Sequence, residues 1–133
     1  MIITDEILAA VQGRLVGDAG VIALVPSTKI GNYLKQDVGY PHIQYDLDFE
    51  SMNVKDEDSQ IVTLQIDIWA NYRGSKECLT IADAVRTAFD GIPVTIASGN
   101  GFGCTYDTME PSQEPEGTTY RCSMLFTMYY SEL

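Results

Sequence analysis

The sequence predicts an α+β domain: an antiparallel sheet of four to five strands with two main helices packed against it. Three features carry that prediction. Apolar residues recur at helical spacing near the start of the chain and again in its middle. Apolar residues recur with period two around 43–50, 61–69 and 120–130, giving each segment one consistently apolar face. Glycine, proline or charged clusters separate these periodic segments. At 133 residues the chain suits one domain, 1–133, built around one core.

The first helix runs from about Asp5 to Val16, because Ile7, Leu8, Val11 and Leu15 form one stripe. Thr4 or Asp5 can cap its start, Asp5 and Glu6 suit the positive end of its dipole, and Gly17 stops it. Asp18 to Val25 reads as a second short helix with Asp18 as cap and Pro26 as terminator; a buried strand is the rival reading. Ser27 to Tyr40 is loop-like.

Ile43, Tyr45, Leu47 and Phe49 then alternate with Gln44, Asp46, Asp48 and Glu50, a half-buried strand with one polar face. A charged turn, Lys55 to Ser59, leads into a strand in which Val62, Leu64, Ile66 and Ile68 face one way. Ile61, Thr63, Gln65, Asp67 and Trp69 face the other, and the two strands form an antiparallel hairpin. Gly74 to Asp90 is the clearest helix, with Ser75 at the cap position and Cys78, Ile81, Ala82, Val85 and Phe89 as its stripe. Gly91 and Pro93 end it.

Val94 to Ala97 is a short strand and Ser98 to Gly101 a turn. Phe102, Cys104, Tyr106 and Thr108 alternate with Gly103, Thr105 and Asp107 in the next strand, Pro111 to Gly117 is a polar loop, and Tyr120 to Tyr130 is the last strand. With the loop centred near Gln113, Phe102 opposes Met124, Cys104 opposes Cys122 and Tyr106 opposes Tyr120.

Apolar residues make up 45% of the chain, enough to exclude intrinsic disorder. No apolar run approaches a bilayer span, and Met1 to Glu6 lacks the basic start of a signal peptide. Eight basic against 19 acidic residues give a net charge of −11. That field repels phosphate, so tight nucleic-acid binding and an anionic membrane surface are both disfavoured. Acidity could instead line a passage that nucleic acid slides through, or belong to a mimic of DNA. Three cysteines read as reduced thiols, although Cys104 and Cys122 could bridge in the register above.

Few residues suggest chemistry. His42 is the single histidine, so any Ser-His-Asp or Cys-His site must use it, and a solvent-facing residue at the start of a strand is the simpler reading. Asp46, Asp48 and Glu50 lie about 7 Å apart per step on one strand face. They could gather a hard cation, but a solvated face is the better account. Asp56, Glu57 and Asp58 lack the glycine and terminal glutamate of a calcium loop and read as an exposed turn. Gly99 to Gly103 precedes a strand rather than a helix, which argues for a hairpin turn over a dinucleotide cradle. No catalytic residue, cofactor or metal site is assigned. Ile61, Trp69, Leu125 and Tyr129 point away from the core side of the sheet, and such a face needs cover from the first helix or from another subunit.

One stretch goes beyond class. Gln65-Ile66-Asp67-Ile68-Trp69-Ala70-Asn71-Tyr72, then Ile81-Ala82-Asp83-Ala84-Val85-Arg86-Thr87-Ala88-Phe89-Asp90-Gly91, resembles the tail-completion (tail-terminator) proteins of long-tailed bacteriophages and prophages. Tyr40-Pro41-His42-Ile43-Gln44-Tyr45 is similar to the Pro-led strand those proteins place earlier. The resemblance is strongest over Pro41 to Val94 and rests mostly on core-forming residues. It implies a virion structural protein and no enzyme. Such a protein caps the completed tail tube as a ring, usually a hexamer, and forms the tail side of the head–tail joint. Its partners would be copies of itself, the tail-tube protein and a head-side neck protein, with DNA only as transiting cargo and no membrane. It would assemble in the host cytoplasm and end in the virion tail or neck. Other neck proteins, such as head-closure or connector proteins, and an acidic inhibitor of a basic partner are the alternatives; a small enzyme ranks last.

Overall fold

The computed structural model describes residues 4–32, 39–50, 59–71, 76–95, 101–113 and 119–131. Helix α1 (Thr4–Gly17) is followed by the single turn α2 (Ala19–Ile22), a 3-10 turn (Ser27–Lys29) and strand β1 (Ile30–Gly31). Then come β2 (His42–Glu50), β3 (Ser59–Ala70), α3 (Lys76–Phe89), β4 (Val94–Thr95), β5 (Gly101–Gln113) and β6 (Tyr120–Ser131). The sheet order is β1-β2-β3-β6-β5-β4. Four long antiparallel strands, β2, β3, β6 and β5, form the expected sheet, and β1 and β4 add two residues at each edge. The fold is α+β, with α1 and α3 as its main helices.

Helix ends follow the sequence signals. Asp18 accepts a bond from Val21 N at 3.0 Å, so it caps α2 as expected. Gly91 takes φ +74, the left-handed conformation a helix terminator needs, and its N–H donates to Cys104 O at 2.9 Å. The Ser75 cap, the turn at 98–100 and the acidic turn Asp56–Glu57–Asp58 lie outside the described residues.

One core fills the space between helices and sheet. Ile7, Val11 and Leu15 of α1 and Ile81, Val85 and Phe89 of α3 are at most 1% exposed. They pack on Ile43, Leu64, Ile66, Ile68, Met124 and Phe126. Phe89 and Phe126 meet at 5.7 Å between ring centroids, and Tyr106 meets Phe126 edge-on at the same distance. Each large side chain buried this way contributes about 1.5–3 kcal/mol.

Two expectations need correction. The segment from Ser27 to Tyr40 is not all loop: Ile30 and Gly31 pair in parallel with Ile43 and Gln44. A two-residue strand has no periodicity to read. The β5–β6 register is also displaced. Cys104 lies opposite Met128 rather than Cys122, and Tyr106 opposite Phe126 rather than Tyr120, while Met109 takes the place opposite Met124. Strand β5 continues through Pro111, Ser112 and Gln113 instead of turning there. It can do so because β5 is an edge strand at that point among the described residues, where a missing N–H is tolerated. A bulge between Tyr106 and Thr108 restores the alternation. The shift along β6 is even, so Cys104, Tyr106, Cys122 and Met124 keep the core face foreseen for them. All three cysteines are free, and Cys104 is far from Cys122.

Candidate functional site

The face of the sheet turned away from the helices is the candidate site. Of the two covers considered for it, the first helix is excluded. Helix α1 packs on the same face as α3, where the Tyr45 hydroxyl donates to Gln12 Oε1 at 2.7 Å. Burial pushes that hydroxyl up to about 12, so it stays a donor at neutral pH. No element among the described residues lies on the opposite face.

The β2–β3–β6 register fixes what that face presents. Its rows read His42–Trp69–Arg121, Gln44–Asp67–Ser123, Asp46–Gln65–Leu125, Asp48–Thr63–Thr127 and Glu50–Ile61–Tyr129. Ile61, Trp69, Leu125 and Tyr129 therefore share the face, as the alternation predicts. Ile61 and Tyr129 are direct cross-strand partners. Leu125 lies two rows further on and Trp69 two beyond that, with polar rows between them. The four make an interrupted apolar track about 27 Å long rather than one patch. Tyr129 is 52% exposed; Ile61, Trp69 and Leu125 are half-buried.

The Trp69 end carries a stacked aromatic cluster. His42 stacks between Tyr40, at 5.3 Å, and Trp69, at 5.9 Å. Arg121 lies over the other side of the indole, 5.2 Å from its centroid, and reaches Asp67 at 3.5 Å. His42 Nδ1 lies 2.8 Å from Gly39 O, which fixes the ring. Burial lowers the His42 pKa from 6.5; the Gly39 carbonyl opposes that shift and nearby Lys29 adds to it. The imidazole is thus a neutral, half-buried stacking group on the open face. Tyr40, His42 and Arg121 were not singled out with Trp69. The β2–β3 register carries that signal by placing His42 beside Trp69.

Asp46 and Asp48 are exposed on the same face, beside the free part of the β2 edge. Asp46 Oδ1 accepts from Leu47 N at 2.9 Å. Glu50 continues the column, and its side chain lies outside the described residues. Among the described residues no group of three or more His, Cys, Asp or Glu side chains is placed to hold a metal ion. No described helix is long and apolar enough to cross a membrane.

The edges of the sheet are guarded. On β5, Pro111 and the bulge interrupt the line of outward donors, Tyr106 N is taken by Asp90 Oδ1 at 3.0 Å, and Cys104 O by Gly91 N. On β2, carboxylates stand beside the free edge. These are the devices that stop a sheet from adding foreign strands.

Comparison with known proteins agrees with this architecture. In a solved structure described as the virion of a native gene transfer agent particle, one chain matches with a TM-score of 0.84. Sequence identity is 17%, and the match covers 96% of each chain, which establishes a shared fold. No curated protein sequence matches. The family model for tail completion protein gp17 matches residues 9–131, a span that takes in α1 from Ala9 on, all of α3 and the whole sheet with its open face. By that match the chain belongs to the tail completion protein gp17 family of phage tail structural proteins.

Proposed function

We propose that this chain closes the finished tail tube as a ring of identical copies, and that the ring forms the tail side of the head–tail joint. The observation that carries the reading is the uncovered sheet face with Ile61, Trp69, Leu125 and Tyr129, in a chain of the tail completion family. Trp, Tyr and Arg are the residue types that anchor protein interfaces, and all three stand on this face. With the strand edges guarded, a ring uses the open face against a different surface of the next copy, a head-to-tail contact that can close on itself.

The work is mechanical. Occupying the last tube ring blocks further addition, with no cofactor and no covalent step, so the chain acts as no enzyme. Its partners are copies of itself, the tail-tube protein and a head-side neck protein. Asp46, Asp48 and Glu50, with Asp56, Glu57 and Asp58 further along the sequence, give the ring carboxylates that let DNA pass without sticking. Assembly takes place in the host cytoplasm, and the product stays in the virion tail or neck.

Light scattering after size exclusion, over a concentration series, tests ring formation, and cosedimentation with purified tail tubes tests capping. A closed species of several copies of the 14.7 kDa chain is expected, growing with concentration, together with binding to tube ends. A chain that stays monomeric and ignores tube ends would overturn the reading.

A further inference from the structure

Two of the three cysteines come together in the core. Cys78, on the first turn of α3, points at the sheet, and its thiol donates to Ile68 O at 3.3 Å. Ile68 is the cross-strand partner of Cys122. The two thiols thus occupy one spot where α3 lies on β3 and β6, and both are 0% exposed. Cys122 and burial push the Cys78 thiol well above the ordinary thiol value, while Cys78 holds Cys122 below it. Cys104 is different. It stands opposite Met128, six positions along β6 from Cys122, or about 20 Å. Burial pushes its thiol up to about 12.

We propose that Cys78 and Cys122 are a redox pair that closes to a disulfide under mild oxidation and staples α3 to β6. With hydrogen peroxide the chemistry balances. The Cys122 sulfur attacks one peroxide oxygen, the O–O bond breaks, and the departing hydroxide leaves as water with the thiol's proton. The resulting sulfenic acid is attacked by the Cys78 sulfur. The S–O bond breaks, and hydroxide takes the Cys78 proton to give a second water. Two thiols are oxidised, and one peroxide is reduced by two electrons. Peroxide is small enough to reach a buried thiol during local opening of the α3–β6 contact. The bridge needs the two Cα atoms within about 7 Å, and the carbonyl that holds the Cys78 thiol belongs to the cross-strand partner of Cys122. A particle built in a reducing cell and released outside it meets this change of redox conditions, but the proposal stands whether or not the chain forms a ring.

The test is intact-mass and peptide mapping of the native full-length chain after limiting peroxide, with thermal unfolding measured before and after. A loss of about 2 Da, a Cys78–Cys122 cross-linked peptide, Cys104 left as a thiol, and a midpoint raised by roughly 5 °C and restored by dithiothreitol are expected. In Cys78→Ser the mass should instead rise, by one or two oxygens on Cys122. Oxygen adducts without cross-linking in the wild-type chain would overturn the pair, as would oxidation of Cys104 first. So would a bridge that appears only after denaturation.

Discussion

Arg14 closes the C-terminal end of α3. Its guanidinium donates to Pro93 O at 2.6 Å, Ala88 O at 3.2 Å and Ile92 O at 3.3 Å, and lies 5.6 Å from the Phe89 ring centroid. A cation there meets the negative end of the helix dipole as well as its orphan carbonyls. Arg14→Ala should lower unfolding stability by about 1–2 kcal/mol, read from urea titration; a change near zero would show the contacts to be incidental. His42 gives a prediction in pH. Its folded pKa is lowered, so the unfolded chain takes up the proton first as pH falls through 6.5. Stability present above that pH is lost below it. His42→Asn should flatten the stability profile between pH 7 and 5.5 relative to wild type. Tyr129 is exposed enough that Tyr129→Ala should move stability by only about 0.5 kcal/mol, while weakening self-association or tube binding about tenfold or more. Equal losses in both would make it a structural residue.

Among the elements, α1, α3 and the alternating strands were legible because each buries one face and so imprints its period on the sequence. The partition of β3 into a core row and an open row followed directly, and with it the shared face of Ile61, Trp69, Leu125 and Tyr129. What was not legible was set across the sheet. Nothing local to β5 announces the bulge after Tyr106, and Pro111 reads as a loop residue until the strand is known to be an edge. Nor does the stripe on α1 say which sheet face it covers. That follows from where its neighbours pack, including the Gln12–Tyr45 bond. The observed register makes a prediction. Phe126 takes both Phe89 and Tyr106 as ring partners, so Phe126→Ala should cost about 3–5 kcal/mol. In the sequence-derived register Tyr106 would lie against Tyr120, and the same change would leave its ring contact intact. Near-ultraviolet circular dichroism of Phe126→Ala and Tyr106→Phe separates the two.

At the scale of the molecule, a net charge of −11 sets copies of the chain against one another. Raising monovalent salt from about 0.05 to 0.5 M shortens the screening length several-fold. If the ring closes through the Trp69 and Tyr129 face, self-association should strengthen over that range. Weakening would show attraction between opposite charges to be the driving term; sedimentation velocity separates the two. The Arg14 clamp has a different consequence, in time rather than in space. The arginine and the carbonyls it holds are 74 to 79 positions apart. On the ribosome α1 is made well before its anchor, which follows 74 to 79 positions after Arg14. For several seconds of synthesis the nascent chain carries α1 without the α3 end that its arginine clamps, which is the interval in which a chaperone has most to hold.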